Sequence, residues 1–235
     1  MLKAILFDLD GTLLPMDQDA FVGGYFKMLA KKLEPYGFDP KTLIDGVLYG
    51  VSAMIKNDGS KNNEAAFWSA FSSMLGSKTL MHKSVFDEFY AVDFQQAVKF
   101  CGKNPQSAQT VASLKAKNYR LVLATNPVFP AVATESRAKW AGLNPDDFAL
   151  ITTYENSFHS KPNPAYYEDI LKTVGCDAGE CLMVGNDVDE DMVAKTLGMK
   201  VFLLTDCLIN KQNADISEYP SGGFDELSEY IAQLG

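Results

Sequence analysis

No apolar run in this 235-residue chain approaches the ~20 residues that cross a bilayer, so no membrane span is expected. Positive charge is in deficit. Lys and Arg number 21 against 30 Asp and Glu, a formal net charge of -9, which argues against a broad nucleic-acid-binding face. Metal ions or small cationic ligands suit that balance better. A local anion site stays compatible with it, because a pocket need not share the net sign. Cysteine is sparse and badly spaced for a metal knuckle. Cys101, Cys176, Cys181 and Cys207 form no close pair, and no histidine lies near Cys176 and Cys181. They read as reduced, packed thiols. The opening "MLKAILFDLD" carries acid where a secretory leader stays apolar, so a cytoplasmic location is expected. No internal repeat or low-complexity segment is visible.

What the chain does have is a set of short, nearly continuous apolar runs. They are "AILF" (4–7), "RLVLAT" (120–125), "FALIT" (148–152), "CLMVG" (181–185) and "KVFLLT" (200–205). Such runs suit parallel strands covered on both faces. Helical patterns separate them at about 106–118, 130–141, 164–174, 189–197 and 224–233. The alternation predicts an α/β fold with a doubly wound, mostly parallel sheet.

One interval is too long for that scheme. Between Gly11 and the run that starts at Arg120 no core strand occurs, whereas a βαβ unit needs only about 30 residues. The pattern inside it is helical, over 19–33, 40–56, 63–75 and 82–94, with turn signals at Pro35, "NDGS" (57–60) and Gly76. Residues 16–98 are therefore read as an inserted α-helical domain, and 1–15 with 99–235 as the α/β core. An insertion there would sit over the carboxyl ends of the strands, where ligands bind in open α/β sheets.

Those strand ends hold the chemistry. Asp8 and Asp10 follow the first run, Thr125 and Asn126 the second; Lys161 lies in the loop after the third, and Asp187 and Asp191 follow the fourth. Paired acids at the end of a buried strand repel one another, so something must compensate them. In a parallel sheet these four ends share one edge.

"FDLDGTLL", "LATN", "SKPNP" and "VGNDVDEDMVAKTLG" together resemble the four ordered motifs of the haloacid dehalogenase-like hydrolase superfamily. The resemblance covers the core and accounts for 16–98 as a helical cap of the C1 type. It implies a Rossmann-like core and catalysis by Asp8, Asp10, Thr125 and Lys161. Asp8 would be the nucleophile and Asp10 the acid and base. Thr125, Asn126 and Lys161 would bind phosphate. Mg²⁺ would be held by the Asp8 and Asp187 side chains and by the Asp10 carbonyl, with Asp191 as a partner for the lysine. The charge chemistry agrees. Two unit charges about 4 Å apart interact by roughly 4 kcal/mol at an effective dielectric of 20, so a carboxylate needs a cation to approach a phosphate dianion. An aspartate at the second position implies a phosphatase or phosphomutase, where dehalogenases have tyrosine and transport ATPases threonine.

The expected function is a Mg²⁺-dependent phosphomonoesterase acting on a small phosphorylated metabolite through an aspartyl-phosphate. The alternatives are a phosphomutase on a sugar phosphate, a phosphonate hydrolase using a cap lysine (Lys27, Lys31 or Lys56), and an idle member that binds a protein or nucleotide. Taken singly, the residues have plainer readings. Thr125 and Asn126 could cap a helix, Asp189 and Glu190 could be solvated acids at a helix start, and His159 could be an ordinary loop residue. Asn186 stands where some relatives have glycine or an acid, which leaves its part in metal binding open.

Overall fold

The computed structural model describes residues 1–234. Six strands form one parallel sheet in the order β3-β2-β1-β4-β5-β6. They are β1 (Ala4–Phe7), β2 (Arg120–Leu123), β3 (Leu150–Ile151), β4 (Cys181–Gly185), β5 (Lys200–Leu204) and β6 (Ser221–Gly222). The central strand shows why the apolar runs are unbroken. Ile5 and Phe7 join one core with Leu123, Val184 and Phe202, while Ala4 and Leu6 join another with Val122, Met183 and Leu203. Both faces are covered, so both sets of alternating positions must be apolar.

The sheet grows from β1 towards β2 and β3, then reverses to β4 and β5. The reversal falls between β1 and β4, and in such sheets that is where the crevice opens at the strands' carboxyl ends.

Between β1 and β2 lie α1 (Gln18–Leu33), α2 (Pro40–Ile55), α3 (Asn63–Leu75), α4 (Lys83–Ala91) and a 3-10 helix, Asp93–Phe100. Polar side chains start the first three. Asp17, Asp39 and Asn62 accept from the amides of Ala20, Thr42 and Ala65 at 3.0, 2.9 and 3.0 Å, which satisfies amides that a helix start leaves free. The layer has its own core, built on Tyr25, Leu29, Val47, Phe71, Phe89 and Phe94. Gly46 and Gly50 let α2 lie tight on α3, since a Cβ at either would run into Leu75 or Phe67. The chain leaves and rejoins the sheet layer through one strap. Met16 bridges Cys101 antiparallel, and the Gly102 amide donates to the Pro15 carbonyl at 2.6 Å.

The sheet layer is completed by α5 (Pro105–Ala116), just before β2, and by α6 (Ala131–Trp140), α7 (Pro164–Val174) and α8 (Phe224–Leu234). Three expectations change. The helix expected over 189–197 is a 3-10 helix restricted to Met192–Leu197. Its first residues are drawn into a turn instead, because Asp187 Oδ1 accepts from the amides of Asp189 and Glu190 at 2.8 and 2.9 Å. The strand expected over 148–152 pairs only at Leu150–Ile151. Finally, β6 extends the sheet by two residues too polar and too few to signal a strand.

Candidate active site

The site is built where β1 and β4 end side by side. The Asp8 amide donates to the Val184 carbonyl at 2.9 Å, so the chain is still held in the sheet where the first acid begins. Gly11 then turns with φ +85, and a Cβ there would strike the Asn186 amide. The Asp10 carbonyl accepts no backbone hydrogen bond among the described residues, so its lone pairs stay available.

Asp8 is held from two sides. Lys161 Nζ donates to its Oδ1 at 2.9 Å, and the Thr12 hydroxyl lies 3.2 Å from Oδ2. The same hydroxyl lies 2.9 Å from Asn186 Oδ1, so its single proton is shared between the two acceptors. Asn186 in turn donates to the Cys207 carbonyl at 2.6 Å, which fixes the amide's orientation. Its oxygen therefore faces Thr12.

Lys161 is only 1% exposed. Its ammonium touches Asp191 Oδ1 at 2.6 Å as well as Asp8, and Asp191 Oδ2 accepts the Asp187 amide at 3.0 Å. Burial opposes the lysine's charge, but Asp191 and Asp8 outweigh it and hold the pKa well above the ordinary lysine value. The sequence reading put Lys161 against the phosphate. In the structure its ammonium bridges the Asp8 and Asp191 carboxylates.

In front of Asp8 lies a cavity of about 190 Å³, lined by Asp8, Asp10, Thr125, Asn126, Asn186, Asp187, Glu190, Asp191 and Lys211, with Phe21, Val22, Val128 and Phe129 on the helical side. Asp187 is oriented by the two amides on its Oδ1, and Oδ2 has no hydrogen-bond partner among the described residues. The Thr125 hydroxyl is likewise unpartnered, while the Thr125 carbonyl accepts from Thr152 and Tyr166 at 2.7 and 2.9 Å. Asn126 donates to Glu190 Oε2 at 3.0 Å, and its own Oδ1 is buried without a partner. Glu190 is thus no solvated helix-start acid: burial pushes its carboxyl up to about 7. His159 pairs with Asp169 at 2.7 Å and packs against Gly59, away from this cavity.

Sequence reasoning missed Arg137. It is fully buried on α6, forms an ion pair with Asp10 Oδ2, and stacks 4.4 Å from the Phe129 ring centroid. A signal was present. Ala133, Thr134 and Ala138 mark the buried face of α6, and Arg137 falls on that stripe, where an arginine needs a partner. Burial raises the Asp10 carboxyl above its ordinary value and Arg137 opposes the rise. Asp10 Oδ1 is buried with no partner. One oxygen is therefore clamped by a cation and the other is left free beside Asp8. Arg137→Met should lower kcat about 10²-fold, the scale of a disturbed general acid–base group, and shift the pH–rate profile. Steady-state kinetics across pH checks this: a purely structural arginine would lower thermal stability and leave the profile in place.

Among the described residues no cluster of three or more carboxylate, imidazole or thiol groups forms a ready metal cage. A cation here would take few side-chain oxygens, with the Asp10 carbonyl and water completing its shell. Mg²⁺, which favours oxygen and keeps several waters, fits this donor set, and thiophilic ions do not.

The model of the haloacid dehalogenase-like hydrolases matches residues 2–198. Glyceraldehyde 3-phosphate phosphatase of Methanothermobacter thermautotrophicus is 26% identical over 207 residues, 87% of this chain and 86% of that one. Phosphoglycolate phosphatase of Colwellia psychrerythraea is 25% identical over 234 residues, 99% of this chain and 96% of that one. The fold resembles the crystal structure of a 2-haloacid dehalogenase from Pseudomonas syringae pv. Tomato DC3000, with a TM-score of 0.66, 22% identity and 100% of both chains covered. With a family model matched over most of its length, and with the sheet order and strand-end acids described above, this chain is a member of the haloacid dehalogenase-like hydrolases.

Proposed function

We propose that the protein is a Mg²⁺-dependent phosphomonoesterase that cleaves a small phosphorylated metabolite by transient phosphorylation of Asp8. The observation that carries this reading is the Asp8–Asp10 arrangement. One acid accepts a hydrogen bond from the Lys161 ammonium, and the other, with a raised pKa, keeps an unpartnered oxygen in the same cavity. Two neighbouring carboxyl groups in such different surroundings, one against a buried ammonium and one with its proton favoured by burial, suit a nucleophile and a proton carrier. The phosphatase names of the relatives point the same way. An aspartate at position 10 separates this chain from the tyrosine-bearing dehalogenase type that its fold also resembles.

In the first step an Asp8 oxygen forms a bond to phosphorus while the ester P–O bond breaks, and the leaving alkoxide takes the proton from Asp10. In the second, water gives a proton to Asp10 and attacks the aspartyl-phosphate, restoring Asp8 and releasing phosphate. The Thr125 hydroxyl and the Asn126 amide are the donors offered to phosphoryl oxygens. Lys161 holds Asp8 in place through its hydrogen bond to Oδ1. Asp8, Asp187 and the Asp10 carbonyl would hold Mg²⁺, which supplies the positive charge that lets carboxylate and phosphate approach. The helical layer over the cavity limits water during the first step.

Phosphate release from p-nitrophenyl phosphate should require Mg²⁺ and be lost with a chelator. Folded protein that releases no phosphate from this ester or from a metabolite panel, with metal present, would favour a binding role. Asp187→Ala should raise the Mg²⁺ concentration for half-maximal rate by more than the ~10-fold that outer partners of a metal site cost. A metal titration that superimposes on the wild type would remove Asp187 from the ligand set.

A further inference from the structure

A second cavity of about 170 Å³ lies inside the helical layer and adjoins the first, and Val22, Val128 and Phe129 line both. Its inner wall is aromatic and aliphatic, chiefly Tyr25, Val51, Phe67, Trp68, Phe86 and Tyr90. Polar groups on that wall are few, and among the described residues the Trp68 indole N–H is the one buried there without a partner, a single donor offered to a ligand. The Tyr25 and Tyr90 hydroxyls are 2.7 Å apart and satisfy each other. Asp87 is the one charged residue on the lining, and no lysine, arginine or histidine belongs to it.

We propose that this chamber receives the leaving group of the substrate, and that the preferred substrates are phosphate esters of alcohols bearing an aromatic ring or a comparable apolar body. The inference rests on the phosphatase reading above and adds the substrate class. Three features decide it. The first is position: the chamber continues from the cavity holding Asp8 and Asp10, on the side of the helical layer. The second is size, since a dry apolar cavity of about 150 Å³ already holds a benzene-sized ligand. The third is charge. A second anionic group, such as a carboxylate, would find no cation in the chamber and would face Asp87. Lys211, the lysine on the polar cavity's wall, lies outside the chamber, so a small anionic ester would have to use that side alone. A polyhydroxylated leaving group would give up water for a wall that offers few hydrogen bonds in return.

The test compares 3-phenylpropyl phosphate with phosphoglycolate under Mg²⁺, reading phosphate release, and repeats the comparison with Val51→Phe, which adds a ring to the chamber wall. The arylalkyl ester should have a kcat/KM at least about tenfold higher, the scale that hydrophobic pocket contacts supply. In Val51→Phe that preference should collapse towards unity, mainly through KM. Calorimetric binding of 3-phenylpropylphosphonate to the wild type, tighter than that of a carboxymethyl phosphonate, gives a second reading independent of the variant's folding. An equal or higher kcat/KM for phosphoglycolate, with no preference in phosphonate binding, overturns the substrate class and leaves the phosphatase reading standing. Release from neither ester nor from any other overturns both. A Val51→Phe change in oligomeric state with the ester preference intact would assign the chamber to a second copy of the chain and overturn the proposal.

Discussion

Asp8→Asn should abolish turnover, by at least ~10⁴-fold, and leave the fold in place. The substitution is nearly isosteric, and the surrounding hydrogen bonds can absorb it. Lys161 Nζ can still donate to the amide oxygen, 2.9 Å away in the native geometry. The amide nitrogen can donate to the Thr12 oxygen, whose proton then goes wholly to Asn186 Oδ1 at 2.9 Å. What disappears is the negative oxygen that forms the bond to phosphorus. An amide is too weak a nucleophile to replace it, and no other free carboxylate stands in its position. Circular dichroism and thermal melting should match the wild type closely, while phosphate release falls to background. Substantial residual turnover would place the nucleophile elsewhere.

Lys161→Met should lose most activity and much stability together. The ammonium is wedged between Asp191 at 2.6 Å and Asp8 at 2.9 Å in a nearly dry environment. Deleting one member of a buried ion cluster leaves uncompensated charge, which costs about 3–5 kcal/mol. For a chain of this length that corresponds to a fall in Tm of very roughly 10 °C. The sign of the pH dependence follows from the same pairing. Burial already raises the Asp191 carboxyl to about 6 against the pull of Lys161, so without that cation it takes up a proton more readily and the variant should regain stability as pH falls through that range. Adding Asp191→Asn should restore much of the lost stability at neutral pH by removing one of the stranded charges. Activity should stay low in the double variant, because Asp8 still lacks its cation. Thermal melts of the single and double variants across pH, beside steady-state rates, separate the two effects. A Lys161→Met variant with wild-type stability at pH 7 would show that the buried lysine is not charge-compensating its neighbours.

The parts legible in the sequence share a physical reason. Strands buried on both faces leave continuous apolar runs, so β1, β2, β4 and β5 announce themselves, and the long gap after Gly11 announces the helical insertion. Asp8, Asp10, Thr125, Asn126 and Asp187 stand at or just after the end of such a run, where a parallel sheet must gather them, and Lys161 lies in a longer loop. The parts that escaped depend on side-chain geometry. Arg137 looks like one more cation on a short helix until the buried face of α6 and the partner Asp10 are both known. The stretch over 189–197 has a helical pattern in the sequence. The Asp187 and Asp191 carboxylates are instead engaged by local amides and by Lys161, which shortens the helix to Met192–Leu197. The sequence named Lys161 as a candidate, but not its contacts with Asp8 and Asp191. Motif position says which loop carries it and nothing about which carboxylates its ammonium bridges.

The most direct measurement is the chemical identity of the phosphorylated residue. The Asp10→Asn variant lacks the group proposed to activate water, so phospho-enzyme should accumulate when it meets substrate and Mg²⁺. Acid quenching, borohydride reduction and peptide mass spectrometry should then find homoserine in place of aspartate at position 8 and at no other acid. Reduction products at Asp187 or Asp191, or a single turnover that releases phosphate without any trapped adduct, would contradict the assignment of Asp8 as the group that carries phosphorus.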